Sequence, residues 1–217
     1  MKSNLQLQKD VLDELRWTPM LNAAEIGVTA KDGIVTLTGI VDGYSKKQAA
    51  EAAAKRVGGV RAVAEEIQIN FDHQGKPNDT DIAKEAANAL KWNMALPPGR
   101  ISVIVDNGWI TLEGEVQWYY QKETAKECVQ SLRGVKGITN LIMLKPDVNS
   151  NVDKVSLENA LDRDAFIDNY NVEVDTLDHK VILKGTVKSW SQKEEASRVA
   201  WSAPGVQRVE NDLAVVY

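Results

Sequence analysis

Few side chains in this sequence could perform covalent chemistry or bind a metal ion. The 217 residues include one cysteine, Cys128, and two histidines, His73 and His179. A nucleophilic site requires a base within hydrogen-bond reach of the nucleophile, and a catalytic zinc site requires about three protein ligands. These three residues are far apart in the sequence, and the carboxylates lack the loop spacing of a calcium site. We therefore expect no catalytic residues, no metal ligands and no cofactor, and we expect that the protein is not an enzyme.

The elements that would have to position any functional residue occur three times. The segment Gly33–Val41 recurs as Gly108–Val116 and again as His179–Val187. The glycine near the end of each segment recurs after 75 and then 71 residues, which is too long for a solenoid unit and typical of a small domain. Short polar linkers with proline or glycine separate the repeats. We predict three domains, called copy one, copy two and copy three below, at residues 1–72, 79–146 and 152–217.

Each copy is predicted to have the order helix, strand, strand, helix, strand. An amphipathic stretch opens each copy, most clearly from Asp81 to Trp92. Two-residue turn signals, such as Asn107-Gly108, then join two strands into a hairpin. An alanine-rich helical stretch and an alternating apolar strand follow. The fold class is therefore α+β, with two helices packed on one face of a short sheet in each copy.

A glycine lies inside the second strand of each copy, at Gly39, Gly114 and Gly185. Glycine weakens the interior of a strand, so its recurrence predicts a bulge or a close approach of another backbone. We expect the neighbouring helix to make that approach. A phosphate-binding loop is not indicated, because further glycines at the start of a helix are absent.

The three copies resemble the BON domain family, which is named for bacterial OsmY and nodulation proteins. The resemblance rests on the motif Leu-x-Gly-x-Val at residues 37–41, 112–116 and 183–187, followed by an alanine-rich helix, a Gly-Val pair and a closing strand. It covers almost the whole chain three times. Copy three departs from the pattern at Asp178-His179, where the other copies have a turn glycine, and we expect a different hairpin turn there.

The resemblance implies a non-enzymatic binding module, often for phospholipid surfaces, in proteins of envelope or osmotic stress. Copy two offers a surface for this role. In the expected arrangement, Trp92 and Leu96 enter the headgroup region of a membrane while nearby basic side chains contact anionic phosphates. The candidate residues are Lys84, Lys91, Trp92, Leu96 and Arg100, together with the aromatic run Trp118, Tyr119 and Tyr120.

The alternative hypothesis is a protein-interaction or self-assembly module without membrane binding, which would make a homo-oligomer possible. In that interpretation the lysines are the solvated face of a helix, and the aromatic residues pack within or between copies. Tyr44, Tyr119 and Trp190 occupy one repeat position at the start of the second helix of each copy, which fits such packing.

Charge argues against a nucleic-acid partner, and composition bears on the cellular compartment of the protein. Residues 1–74, 75–146 and 147–217, which contain the three copies and their linkers, carry net charges of −1, +1 and −5. None has the basic excess of a nucleic-acid binder, so we expect no nucleic-acid partner. A single cysteine excludes an internal disulfide. The first residues contain no uninterrupted apolar run. The sequence as given therefore predicts a cytoplasmic protein, or a periplasmic one if a leader has been removed.

Cys128 lies on the apolar stripe of the second helix of copy two, because its repeat equivalents are Ala53 and Val199. A cysteine at such a position behaves as a small hydrophobe. We therefore expect Cys128 to be buried.

Overall fold

The computed structural model describes residues 2–71, 77–145, 152–164 and 171–216. The contacts divide the chain into two compact units. Met1–Gly39, Ala49–Glu66 and Pro146–Tyr217 form the first, and Ile40–Gln48 and Ile67–Lys145 form the second. Copy one contributes residues to both units, because parts of its second helix and last strand belong to the second one.

Copy one begins with a helix that is capped by Ser3, whose hydroxyl accepts a hydrogen bond from the Gln6 N–H at 3.2 Å. Its sheet has the strand order β1-β2-β3, with β1 and β2 antiparallel. The elements are α1 (Asn4–Arg16), β1 (Ile26–Lys31), β2 (Ile34–Val41), α2 (Tyr44–Arg56) and β3 (Ala62–Ile69).

Copies two and three repeat this order, which confirms the predicted α+β fold. In both copies the first two strands are antiparallel, and the strand segments after the second helix run parallel to the central strand. Copy two contains α3 (Asp79–Trp92), β4 (Ile101–Asp106), β5 (Trp109–Val116), α4 (Tyr119–Gln130), β6 (Gly137–Asn140) and β7 (Met143–Leu144). Copy three contains α5 (Lys154–Arg163), β8 (Val172–Leu177), β9 (Lys180–Val187), α6 (Trp190–Trp201), β10 (Arg208–Asn211) and β11 (Ala214–Val215).

The last strand is divided in copies two and three by an asparagine. Asn140 donates to the Lys122 carbonyl at 2.8 Å, and its Oδ1 accepts from the Ile142 N–H at 3.3 Å. Asn211 makes the same pair of bonds in copy three. The asparagine thus satisfies a backbone N–H at the interruption of the ladder and joins that point to the second helix. Copy one has Glu65 at this position and a single continuous strand.

The hairpin turn keeps its two-residue length in all three copies, including copy three. The first turn residue has a positive φ in each, at 52° for Asp32, 51° for Asn107 and 52° for Asp178. Gly33 and Gly108 add a second positive φ, which is typical of type I′ turns. His179 does not, and its Nδ1 lies 2.9 Å from the Gly205 carbonyl. The expected difference is therefore confined to the second turn residue.

The recurring strand glycine occupies one position in all three sheets. Gly39 pairs with Ile26 in copy one, and the other two glycines pair with the first residues of β4 and β8. The φ angles of Gly39, Gly114 and Gly185 lie between +112° and +138°. A Cβ at Gly39 would overlap the Glu25 carbonyl, just before β1. The expectation that a helix packed on the sheet makes the close approach was therefore wrong, because Glu25 makes it, as the last residue of the short 3₁₀ helix Ala23–Glu25 that leads into β1.

A lysine in the second helix of each copy caps the last strand. Lys47, Lys122 and Lys193 donate to the carbonyls of Ile67, Ile142 and Leu213 at 2.8, 2.7 and 2.6 Å. Burial lowers the pKa of Lys122. Each lysine thus satisfies one carbonyl in the segment that forms the last strand.

Candidate binding surface of copy two

Helix α3 carries the candidate residues Lys84, Lys91 and Trp92, and the hairpin fixes its first turn. Asn78 caps the helix by accepting from the Asp81 N–H at 2.9 Å. The Asp79 carboxylate accepts from the N–H groups of Asn107 and Gly108 at 2.7 and 2.9 Å. Ile82, Ala86 and Leu90 bury the inner face of the helix. The helix is thus held at both its start and its inner face.

The end of α3 presents apolar side chains to solvent. Trp92, the last residue of the helix, is 79% exposed, and Met94 is fully exposed. Asn93 ends the helix, and its Oδ1 accepts from the Ala95 N–H at 2.9 Å. At 3.6 residues per turn, Trp92 lies about 100° from the centre of the apolar stripe of α3. The sequence therefore places Trp92 at the edge of the core, and its exposure agrees with that position.

Two basic residues, Lys91 and Arg100, accompany this end of the helix, and Lys84 lies about two turns before Lys91. Lys84, Lys91 and Arg100 are exposed, and in the described part of the chain no carboxylate lies within 4.0 Å of their charged groups. Lys84 and Lys91 are seven residues apart, so they lie on one face of α3. Their positive charge is therefore available to an external anion.

Leu96 does not belong to this exposed surface, and its assignment as a membrane-inserting residue is corrected. The side chain is 7% exposed and lies in the core of copy two with Leu90, Ile110 and Val129. The turn after α3 closes with a hydrogen bond from the Leu96 N–H to the Asn93 carbonyl at 3.2 Å, and points Leu96 inward. Met94 provides the exposed apolar group instead. The sequence contains it, but hydropathy alone does not rank it above Leu96.

The aromatic run lies beside the loop that follows α3. Gln121 is buried, and its Oε1 accepts from the N–H groups of Gln117 and Trp118, both at 3.1 Å. Its Nε2 donates to the Ala95 carbonyl at 3.4 Å. Pro97, Pro98 and Arg100 line a depression of about 340 Å³ together with Gln117 and Gln121. The structure therefore brings the two sets of candidate residues to one end of copy two.

The three aromatic residues differ in their surroundings. Trp118 and Tyr120 are exposed, whereas Tyr119 is half-buried. Burial, reinforced by the Glu123 carboxylate, raises the pKa of Tyr119 to about 12, so its phenol is protonated at neutral pH. Trp118 and Tyr120 are the members of the run that an external partner could contact.

The repeat equivalents of Tyr119 pack between copies. Tyr44 contacts the core cluster of copy two. Trp190 donates its indole N–H to the Arg61 carbonyl of copy one at 3.2 Å, and the Lys193 ammonium lies 5.6 Å from its ring centre. An ion pair of 3.6 Å between Lys55 and Glu194 accompanies this contact. The interpretation of these two aromatic residues as packing groups therefore agrees with the structure.

Cys128 is only partly buried, which corrects the expectation of full burial. Its Sγ accepts a hydrogen bond from Asn93 Nδ2 at 3.1 Å, because the side chain lies at the edge of the apolar stripe, next to the end of α3. Of the two histidines, His179 lies in the hairpin turn and His73 lies outside the described residues. Within the described residues, no three His, Cys, Asp or Glu side chains form a group that could hold a metal ion.

No helix in the described ranges has both the length and the apolar character needed to cross a membrane. The longest helix of copy two, α3, has 14 residues and alternates apolar and charged faces.

Comparisons with known proteins agree with the three repeats of the sequence motif. Osmotically-inducible protein Y of Escherichia coli (strain K12) is 28% identical over 144 residues, which cover 63% of this chain and 72% of that protein. A structure of CdsD, a structural protein of the type III secretion system of Chlamydia trachomatis, aligns over 97% of this chain and 92% of its own with 16% identity and a TM-score of 0.28. A likeness that weak supports no inference. The BON domain model matches residues 3–70, 78–146 and 154–217. The chain therefore belongs to the BON domain family and carries three consecutive BON domains.

Proposed function

We propose that the protein is a non-enzymatic binding module that associates peripherally with anionic phospholipid surfaces in an envelope or osmotic-stress context. The similarity to a protein named for its osmotic induction supports the stress context. The end of α3 in copy two is the proposed membrane-contacting surface. The acidic copy three would face away from the lipid, because its negative charge would be repelled.

One observation carries this proposal: exposed apolar groups at the end of α3 share copy two with three basic side chains that have no carboxylate within 4.0 Å among the described residues. Trp92 and Met94 can enter the headgroup region, where tryptophan is favoured. Lys84, Lys91 and Arg100 would each contribute about 1 kcal/mol near an anionic surface. Together these terms support weak and reversible binding, as expected for a peripheral protein.

Flotation with anionic vesicles tests the proposal with two variants of copy two. We expect Trp92→Ala to weaken binding about tenfold, because an inserted aromatic side chain is lost. We expect Lys91→Glu to weaken it about thirtyfold at low salt, because the charge is reversed next to anionic lipid. Only the second effect should shrink as salt is added.

Copy one offers a matched control at the same repeat position. Trp17 ends α1 and is 83% exposed, but the neighbouring Arg16 is paired with Asp13 at 2.9 Å. Trp17→Ala should therefore change vesicle binding little. The lipid proposal fails if the wild-type protein does not float with anionic vesicles at low salt, and the assignment to copy two fails if Trp17→Ala and Trp92→Ala have equal effects.

A second candidate function is self-assembly through the outer face of the copy two sheet. Ile104, Trp109 and Met143 are half or more exposed. The Trp109 ring lies over Gly137, and its indole N–H donates to Thr139 Oγ1 at 2.8 Å. An ordered aromatic ring on an exposed apolar sheet face is typical of an interaction surface.

In copy three, charged side chains occupy the equivalent face of the sheet. Lys180 and Glu210 form an ion pair at the positions of Trp109 and Thr139, and Asp175 replaces Ile104. The double variant Trp109→Lys, Thr139→Glu therefore transfers a pair that the fold already accommodates. If the face mediates assembly, light scattering should show a smaller mass for this variant than for the wild-type protein. Equal masses would exclude assembly through this face.

A further inference from the structure

A groove of about 490 Å³ lies between α3 and the edge strand β4 of copy two. The strand order β4-β5-β6 leaves one side of β4 without a neighbouring strand. Small and apolar side chains from α3 line one wall of the groove, and β4 with the preceding loop forms the other. The lining residues on the two elements are Ala83, Ala87, Leu90, Lys91, Ile101, Ser102 and Val103.

The register of the hairpin determines which backbone groups of β4 point into the groove. Asp106 and Trp109 flank the two-residue turn and form a hydrogen-bonded pair, so bonded and non-bonded pairs alternate from there. Val103 is in a non-bonded pair with Leu112, and its N–H and C=O therefore point away from β5. No side chain among the described residues hydrogen-bonds to the backbone of Val103.

The other two copies fill the corresponding space with their own side chains. In copy one, Gln8 stands at the position of Ala83, and its Nε2 donates to the Val28 carbonyl of the edge strand at 2.7 Å. In copy three, Lys154 and Glu158 replace the two alanines and form an ion pair of 3.6 Å. In the described part of the chain, only copy two combines two small residues with an uncapped edge.

We propose that this groove binds an extended acidic peptide as an additional strand on β4. A strand supplies N–H and C=O groups at the spacing that the edge of β4 requires, and alternate side chains of the peptide would enter the alanine-lined wall. An acyl chain has no polar groups with which to pair the backbone of Val103. Lys84 and Lys91 flank Ala87 on α3 and would contact acidic side chains of the peptide. This partner is a polypeptide, and it goes beyond the proposed lipid function.

Fluorescence anisotropy with a short labelled peptide of alternating valine and threonine, ending in aspartate pairs, tests the proposal on the full-length chain. We expect saturable binding by the wild-type protein and at least tenfold weaker binding of the same peptide ending in lysine pairs. The double variant Ala83→Gln, Ala87→Leu introduces the residues of copy one and should also lose at least tenfold. Glutamine and leucine both favour helices, so α3 should remain folded, as circular dichroism can verify.

N-methylation of the peptide distinguishes strand pairing from other binding modes. Methyl groups on alternate backbone nitrogens should abolish binding in one register and leave it largely intact in the other, because only every second N–H faces β4. Trp92→Ala should leave peptide binding unchanged, since Trp92 does not line the groove. Lys84 and Lys91 take part in both proposals, so Trp92→Ala is the variant that separates peptide binding from vesicle binding.

Three outcomes would overturn the proposal. The first is no saturable binding of the acidic peptide by the wild-type protein. The second is equal binding by the wild-type protein and the double variant, or equal loss in both N-methylated registers. The third is a combined result, in which the wild-type protein does not bind the peptide and the double variant loses vesicle binding. That result would show that the groove binds a lipid chain.

Discussion

Gly39→Ala is expected to lower the free energy of unfolding of copy one by about 3–5 kcal/mol. Gly39 has a φ of +138°, which L-residues with a side chain rarely adopt. The new Cβ would also overlap the Glu25 carbonyl, and this backbone atom cannot move without shifting the start of β1. A domain of about 70 residues has little excess stability, so copy one should be largely unfolded well below the melting temperature of the wild-type protein.

Gly58→Ala provides the control within the same copy. Gly58 has no positive φ, and a Cβ there would meet no atom within 4 Å. We expect its melting temperature to be equal to or slightly above that of the wild-type protein, because alanine restricts the unfolded chain. Thermal unfolding and amide hydrogen exchange in copy one would measure both effects. Similar stabilities for the two variants would show that the backbone approach at Gly39 is not tight.

Leu96→Ala is expected to destabilise copy two by about 2–4 kcal/mol. The side chain is 7% exposed and packs between helix and sheet in the core of copy two, so its truncation leaves a cavity. Any loss of vesicle binding by this variant should follow the loss of fold, as monitored by denaturant unfolding.

Met94→Ala is the matched comparison, two residues earlier on the same loop. Met94 is fully exposed, so its truncation should change the free energy of unfolding by less than about 0.5 kcal/mol. Vesicle binding should nevertheless weaken, because an apolar group at the proposed membrane surface is removed. If Leu96→Ala leaves stability unchanged and Met94→Ala reduces it, the inward turn after α3 is incorrect.

Gly39 is a position at which the sequence predicted one structural feature and not another. Its recurrence at a fixed place in the motif predicted a close backbone approach, because glycine weakens the interior of a strand and often marks such an approach. The partner in that approach could not be predicted, since it depends on how the loop before β1 crosses the end of β2. The prediction that a helix packed on the sheet makes the approach was wrong for this reason.

The candidate site shows the same division between local and tertiary information. The helical period predicted the exposure of Trp92 and the shared face of Lys84 and Lys91, because both follow from 3.6 residues per turn. The local sequence could not predict whether Met94 or Leu96 is the exposed residue. Both are apolar and lie in one loop, and the turn at Asn93 decides which side chain reaches the core.

The sequence by itself determined the number of copies, the order of elements in each and the family, because repeat spacing, hydrophobic period and turn residues are local properties of the chain. Only the tertiary structure decided which equivalent positions became functional candidates. Gln8 and Ala83 occupy the same repeat position, yet one caps an edge carbonyl and the other leaves a groove beside it. The difference in side chain is visible in the sequence, but only the packing of the first helix beside the edge strand shows that the longer side chain reaches a carbonyl of that strand.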